Sequence, residues 1–211
     1  MKLSTQQLKT YSIGLCLVPL LGIVFDILTN NLGANAMQAL HIRLGDWALR
    51  FLCITLLISP LQSMTKWRGM ADFRQLFGLF SFFYAFLHVL AYLLLDFQGQ
   101  WSLIYIDILE SSYLWFGLIT FVILLLLAIS SPNAAKKRLG VKWKKLHRFI
   151  YLAAATAVLH FLWQLKGNMA EPLFYMLIIG LLLLFRVVNY YKNRKFSKLM
   201  LPIGRKKVID E

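Results

Sequence analysis

Residues 113–130 read YLWFGLITFVILLLLAIS, eighteen positions without one charged side chain. At 1.5 Å of rise per residue a helix of that length measures about 27 Å, close to the hydrocarbon thickness of a bilayer, about 30 Å. Five more apolar stretches long enough to cross a bilayer flank it, at 11–29, 45–62, 76–95, 147–164 and 172–190. Ser59-Pro60, Ser131-Pro132 and Glu171-Pro172 are read as helix edges, where proline is tolerated. Of the 211 residues 59% are hydrophobic and only 15% charged, with a mean hydropathy of +0.65. A soluble domain needs more polar surface, so the bilayer is the solvent. The expected fold is an all-α integral membrane protein, a bundle of about six transmembrane helices. The bundle occupies 11–190, after a short N-terminal segment 1–10 and before a basic tail 191–211. No internal repeat is read, and the length leaves no room for a second catalytic domain.

The formal charge of +14 suggests nucleic acid, but its placement fits membrane topology better. Nineteen of the 23 basic residues fall on one side of the alternating spans: Lys2 and Lys9, then Lys66, Arg68 and Arg74, then seven from Lys136 to Arg148, then seven from Lys192 to Lys207. Arg43 and Lys166, with Asp96, Asp107 and Glu110, fall on the other. Both termini are therefore expected in the cytoplasm, with Trp67, Trp101, Trp143 and Trp163 near the interfaces. The two long basic runs offer, secondarily, a docking face for an acidic donor. Ala34-Asn35-Ala36 after the first apolar run allows a competing reading as a cleaved signal peptide. Cys16 and Cys53 lie inside apolar runs and read as packing residues; without C-x-x-C or C-x-x-C-H, neither a dithiol centre nor covalently attached haem is encoded.

Four histidines remain, His41, His88, His147 and His160. His88 and His160 fall at nearly one depth toward the outer leaflet, on the third and fifth spans, so two imidazoles can meet one haem iron from opposite faces. Hydrogen bonding between helices is the alternative role for each. His147 begins the fifth span, about 20 Å below His160, where it suits a second, inner haem. The matching inner position on the third span, fourteen residues before His88, holds Arg74, which can pair with a haem propionate but cannot ligate iron. His41 is expected to be a solvated loop residue. Arg50 and Arg186 are read as snorkelling to an interface, with propionate pairing as the alternative. There is no nucleotide-binding glycine loop, no Walker motif, no H-E-x-x-H and no nucleophile with its base.

The series Leu139-Gly140, Trp143, Leu146-His147, Tyr151, His160 and Trp163 resembles the haem-binding membrane subunits (MsrQ, formerly YedZ) of periplasmic protein-methionine-sulfoxide reductase systems. Gly78, Leu87-His88, Tyr92 and the segment Leu56 to Leu61 are similar to it as well, and the likeness spans roughly residues 40–190. The wider group comprises the transmembrane domains of ferric reductases and NADPH oxidases. The resemblance implies that His88, His147 and His160 ligate b-type haem, and associates FMN with the family. It also implies that electrons from quinol or a cytoplasmic flavin reductase cross the bacterial inner membrane to a periplasmic molybdenum-cofactor reductase, which repairs oxidised methionine. The chain would then be an electron-transfer subunit rather than an enzyme by itself. Arg74 stands where the oxidases carry histidine, which leaves one haem or two open. The competing functions are a self-contained ferric or quinone reductase and, last, a histidine-relay proton channel or transporter.

Overall fold

The computed structural model describes residues 4–67, 69–164 and 169–199, with 193–199 described by their backbone alone. Lys2, Arg68, Lys166, Arg205, Lys206 and Lys207 of the charge pattern, and the side chains of Arg194, Lys195 and Lys198, lie outside the described residues. The described residues form helices and no strand. These are α1 (Thr5–Leu28), α2 (Ala36–Thr65), α3 (Met70–Ala91, continued by a π-helical turn Tyr92–Asp96), α4 (Trp101–Glu110), α5 (Ser112–Ile129), α6 (Asn133–Leu139), α7 (Val141–Leu146), α8 (Ile150–Gln164, entered by a 3-10 turn His147–Phe149) and α9 (Ala170–Leu199). Six stretches are long and apolar enough to cross a membrane: α1, α2, α3 with its π turn, α5, Val141–Gln164 and Ala170–Lys192. The chain is a multi-pass, all-α membrane protein.

Local chemistry sets the helix ends. Ser4 caps α1 through a reciprocal box in which its hydroxyl accepts from the Gln7 N–H and Gln7 accepts from the Ser4 N–H. Asn35 caps α2 by accepting from the Gln38 N–H. At the far end of α5 the carbonyls of Ser130 and Ser131 accept from Trp143 Nε1 and Gln75 Nε2, and Pro132 stops the helix. Two differences from the sequence reading concern α2. The helix begins nine residues earlier than expected, because the polar side chains there find partners: Arg43 bonds Asp26 on α1, and His41 Nε2 lies 2.8 Å from Asp96 Oδ2. Pro60, expected at a helix edge, lies inside α2. A proline has no N–H for the carbonyl four residues back, and here the Arg186 guanidinium on α9 donates to that carbonyl, Leu56 O, at 3.3 Å.

α2 packs chiefly on α3, and α5 chiefly on α8. In lipid, tight contact comes from small side chains and interhelical hydrogen bonds. Ala153 and Ala154 of α8 are wholly buried, and the hydroxyls of Thr120 and Thr156 meet at 2.7 Å between α5 and α8. One buried cluster joins α2, α5, α8 and α9 through Leu52, Leu56, Leu124, Ala153 and Tyr175. A second attaches α1 to α2 and α3 through Cys16, Ile23, Phe51 and Tyr84. The Tyr84 hydroxyl accepts from the Leu20 N–H (3.1 Å) and donates to the Cys16 carbonyl (2.9 Å), two groups that bond each other in an undisturbed helix. It is inserted into α1 beside Pro19, where a break in the ladder is expected.

The two helix pairs also correct the reading that no repeat is present. Position 45 matches 117 in glycine, 59–60 matches 131–132 in Ser-Pro, and 87–88 matches 159–160 in Leu-His, all at one offset. The structure repeats with them. The Ser81 hydroxyl donates to Ala48 O in one pair, and Thr120 Oγ1 lies 3.5 Å from Ala153 O in the other, both spanning 33 residues. Most other positions of the two pairs differ, which hides the repeat from composition and periodicity.

Candidate functional site

Each helix pair contributes one histidine. α3 carries His88 and α8 carries His160, and their ring centroids stand 6.3 Å apart with the planes at 84°. The same hydrogen bond holds both rings. His88 Nδ1 lies 3.1 Å from His41 O and His160 Nδ1 lies 2.9 Å from Tyr113 O, each reaching 47 residues back along the chain. A carbonyl only accepts, so each Nδ1 carries the proton and each Nε2 keeps its lone pair. That is the tautomer and outer hydrogen bond of a metal-ligating imidazole. Glycine lies opposite each ring: a β-carbon on Gly45 would stand 3.6 Å from His88, and one on Gly117 would stand 2.8 Å from His160 Nδ1.

Both histidines line a cavity of about 810 Å³ bounded by α2, α3, α4, α5 and α8, within the size range of cofactor sites, about 300–1,000 Å³. Its deeper wall is apolar, with Leu52, Ala85, Phe121 and Leu124. Its rim is polar. Tyr92 donates to Asp107 at 2.7 Å, Ser111 donates to the other carboxylate oxygen at 3.1 Å, and Asp96 pairs with His41. The π turn Tyr92–Asp96, one helical turn beyond His88, brings Tyr92 and Asp96 to this rim, a placement common for such turns at functional sites.

The donor set fits haem iron. Two imidazoles bound in line through metal–nitrogen bonds of about 2 Å place their ring centroids about 6 Å apart. The observed separation, the two exposed lone pairs and the apolar cavity walls all agree with that arrangement.

The other sequence candidates lie elsewhere. His147 sits on the 3-10 turn before α8, stacked on Trp143 at 3.9 Å with Nδ1 3.2 Å from Trp143 O, and does not line the cavity. Its charged neighbours are Arg74 and Lys136. Arg74 donates to Ser59 Oγ at 3.1 Å. In the repeat the counterpart of His147 is Gln75, not Arg74, and the Gln75 amide is bonded to Ser131 O. The structure thus brings His88 and His160 together and sets His147 and Arg74 apart from them.

Three expectations are corrected. His41 is not a solvated loop residue: it lies in α2, its ring meets His88 edge-on at 5.4 Å, and its side chain is 12% exposed. The pull on it is Asp96, which a linear reading placed in a separate loop. Arg50 does not simply snorkel. It donates to the Tyr175 hydroxyl at 3.0 Å, lies 3.4 Å from the buried Asp46 and 3.9 Å from Glu171, and covers the Trp47 ring. Arg186 is likewise held, by Tyr151 at 2.7 Å and by Leu56 O. Sequence reasoning missed Gly45, Gly117 and Tyr113. The available signal was an isolated glycine inside each of two apolar spans, which usually has a packing reason.

Residues 44–158 match the family described as ferric reductase like transmembrane component. That segment starts in α2 and ends in α8, so it contains His88, stops two residues short of His160, and omits α1 and α9. Curated relatives extend the match. The protein-methionine-sulfoxide reductase heme-binding subunit MsrQ of Polaromonas naphthalenivorans is 39% identical over 183 residues, 85% of this chain and 84% of the relative. The proteins of the same name from Xanthomonas euvesicatoria and Rhodospirillum rubrum are 42% and 37% identical, covering 78% and 87% of this chain and 75% and 88% of the relatives. No solved structure matches the chain. With that identity maintained over at least three quarters of both partners, and with the family segment covering more than half of the chain, the chain belongs to the MsrQ family of ferric reductase-like transmembrane proteins.

Proposed function

We propose that this protein is the haem-binding membrane subunit of a protein-methionine-sulfoxide reductase system and carries electrons across the bacterial inner membrane. The observation that supports this is the facing pair His88 and His160, each with Nδ1 tied to a carbonyl and Nε2 free, in one apolar cavity. An iron porphyrin bound there, of the b type because the chain has no C-x-x-C-H, supplies reversible one-electron chemistry. The protein's share is positional. His41 O and Tyr113 O hold the two rings in the ligating tautomer, and Leu52, Ala85, Phe121 and Leu124 keep water from the centre. By the positive-inside rule the basic loop with α6 and α7 faces the cytoplasm, as do both termini. The histidine pair then lies toward the periplasmic face, where a molybdenum-cofactor reductase subunit takes the electrons. Quinol or a cytoplasmic flavin reductase is the donor. One haem belongs to this pair; His147 has no facing imidazole at the other end, which favours one haem over two.

The test is a reduced-minus-oxidised spectrum of the purified protein with a haem-to-protein ratio. One b-type haem per chain is expected, and alanine at His88 or His160 removes the six-coordinate signal. Folded wild-type protein made with haem available and containing none refutes the proposal. Reduction of a periplasmic reductase by this subunit in vesicles tests the acceptor separately.

A further inference from the structure

The duplicated helix pair is symmetric in its hydrogen bonds and asymmetric in its packing. Both histidines bond a carbonyl 47 residues earlier, and both face a glycine at the matching position of the preceding long span. The clearance differs. A β-carbon on Gly117 would lie 2.8 Å from His160 Nδ1 and 2.9 Å from Cε1, shorter than real β-carbon contacts, so the ring or α8 would have to move. A β-carbon on Gly45 would lie 3.6 Å from His88, an ordinary van der Waals distance. His160 has little lateral freedom, since its Nδ1 is held to Tyr113 O four residues before Gly117 on the same stretch of chain, and Tyr113 packs on its ring at 5.7 Å. His88 is tethered in the same way to His41 O and is met edge-on by the His41 ring, but the glycine opposite it leaves more room.

We infer that Gly117 is a positioning residue for the bound iron: it lets His160 close against α5 and makes His160 the more tightly packed ligand, while His88 keeps more clearance at its facing glycine. This rests on the proposed haem reading. It adds that the two ligands, although built by one repeated device, are unequal, and that the inequality lies in the clearance at the facing glycine, 2.8 Å at position 117 against 3.6 Å at position 45.

The experiment uses the full chain in detergent, made with haem available, as wild type, Gly117→Ala and Gly45→Ala. The readouts are the low-spin signal in electron paramagnetic resonance and the rate of haem transfer to apomyoglobin. Gly117→Ala is expected to lose low-spin signal and to weaken haem retention by about 10- to 100-fold, the usual effect of disturbing the support of a metal ligand. Gly45→Ala is expected to keep the wild-type signal and retention. Alanine is a better helix former than glycine, so a loss at position 117 runs against intrinsic propensity. A folding defect is separated from a displaced ring by His160→Gly with free imidazole, alone and combined with Gly117→Ala. An untethered ring can shift, so imidazole should restore the low-spin signal in both. Restoration in the single variant but not in the double one overturns the inference, as does wild-type behaviour of Gly117→Ala or equal damage at position 45. A haem-free wild type instead fails the underlying function.

Discussion

Replacing Tyr84 by phenylalanine removes one oxygen atom from a fully buried site and should loosen α1 without touching the histidine pair. The hydroxyl makes two hydrogen bonds, from Leu20 N–H and to Cys16 O. If α1 tightened so that these groups bonded each other, the loss would be about 1 kcal/mol, the net value of one hydrogen bond. If both stayed unpaired, the loss would be roughly 2–6 kcal/mol, since each buried orphan costs about 1–3 kcal/mol. Pro19 opposes tightening at this turn, because it has no N–H for Leu15 O and its ring crowds that carbonyl. We therefore expect about 2–4 kcal/mol, inside the range for two orphans. Cys16 reports it directly, being 2% exposed against α2 and α3. With about 1.4 kcal/mol per factor of ten, maleimide should label Cys16 about 30- to 1,000-fold faster when labelling follows local opening. Cys53, in the other cluster, is the internal control and should label at its wild-type rate. An unchanged Cys16 rate, or equal acceleration of both thiols, refutes the idea that this hydroxyl fastens α1.

Three further outcomes follow from contacts described above. Arg186→Met should lower stability by about 1–3 kcal/mol by leaving Leu56 O unpaired, and Arg186→Lys should recover only part, since one ammonium replaces a fork that reaches both Tyr151 and Leu56; thermal unfolding in detergent measures both. Asp107→Asn should weaken the Tyr92 hydrogen bond, of the charged class worth about 1.5–3 kcal/mol, and raise amide exchange in α4 while leaving α5 protected. His147→Ala should leave the haem-to-protein ratio unchanged, and a halved ratio would establish an inner haem.

The bundle was legible because lipid imposes a simple demand: a span is about twenty apolar residues, and charge collects between spans. All six sequence spans correspond to helices, with α1, α2, α3 and the span Val141–Gln164 beginning earlier than expected. The shared depth of His88 and His160 was legible from helical rise, which places residues along the membrane normal. Rise says nothing about rotation or neighbours. Asp96 is in sequence far from His41, and Arg186 far from Leu56, so neither pairing was visible, and both polar side chains were assigned to water by default. Gly45 and Gly117 were missed for a related reason. A glycine in an apolar run signals close packing, but not which side chain lies against it.

The contact between Arg186 and Leu56 also bears on biogenesis. α2 is synthesised early with a proline in its interior, and the group that occupies the vacated carbonyl belongs to α9, 130 residues later. During synthesis α2 therefore resides in the bilayer one hydrogen bond short until the last span arrives. Insertion of α9 therefore also repairs a helix already in place, and a chain halted before position 186 leaves the Leu56 carbonyl without this donor.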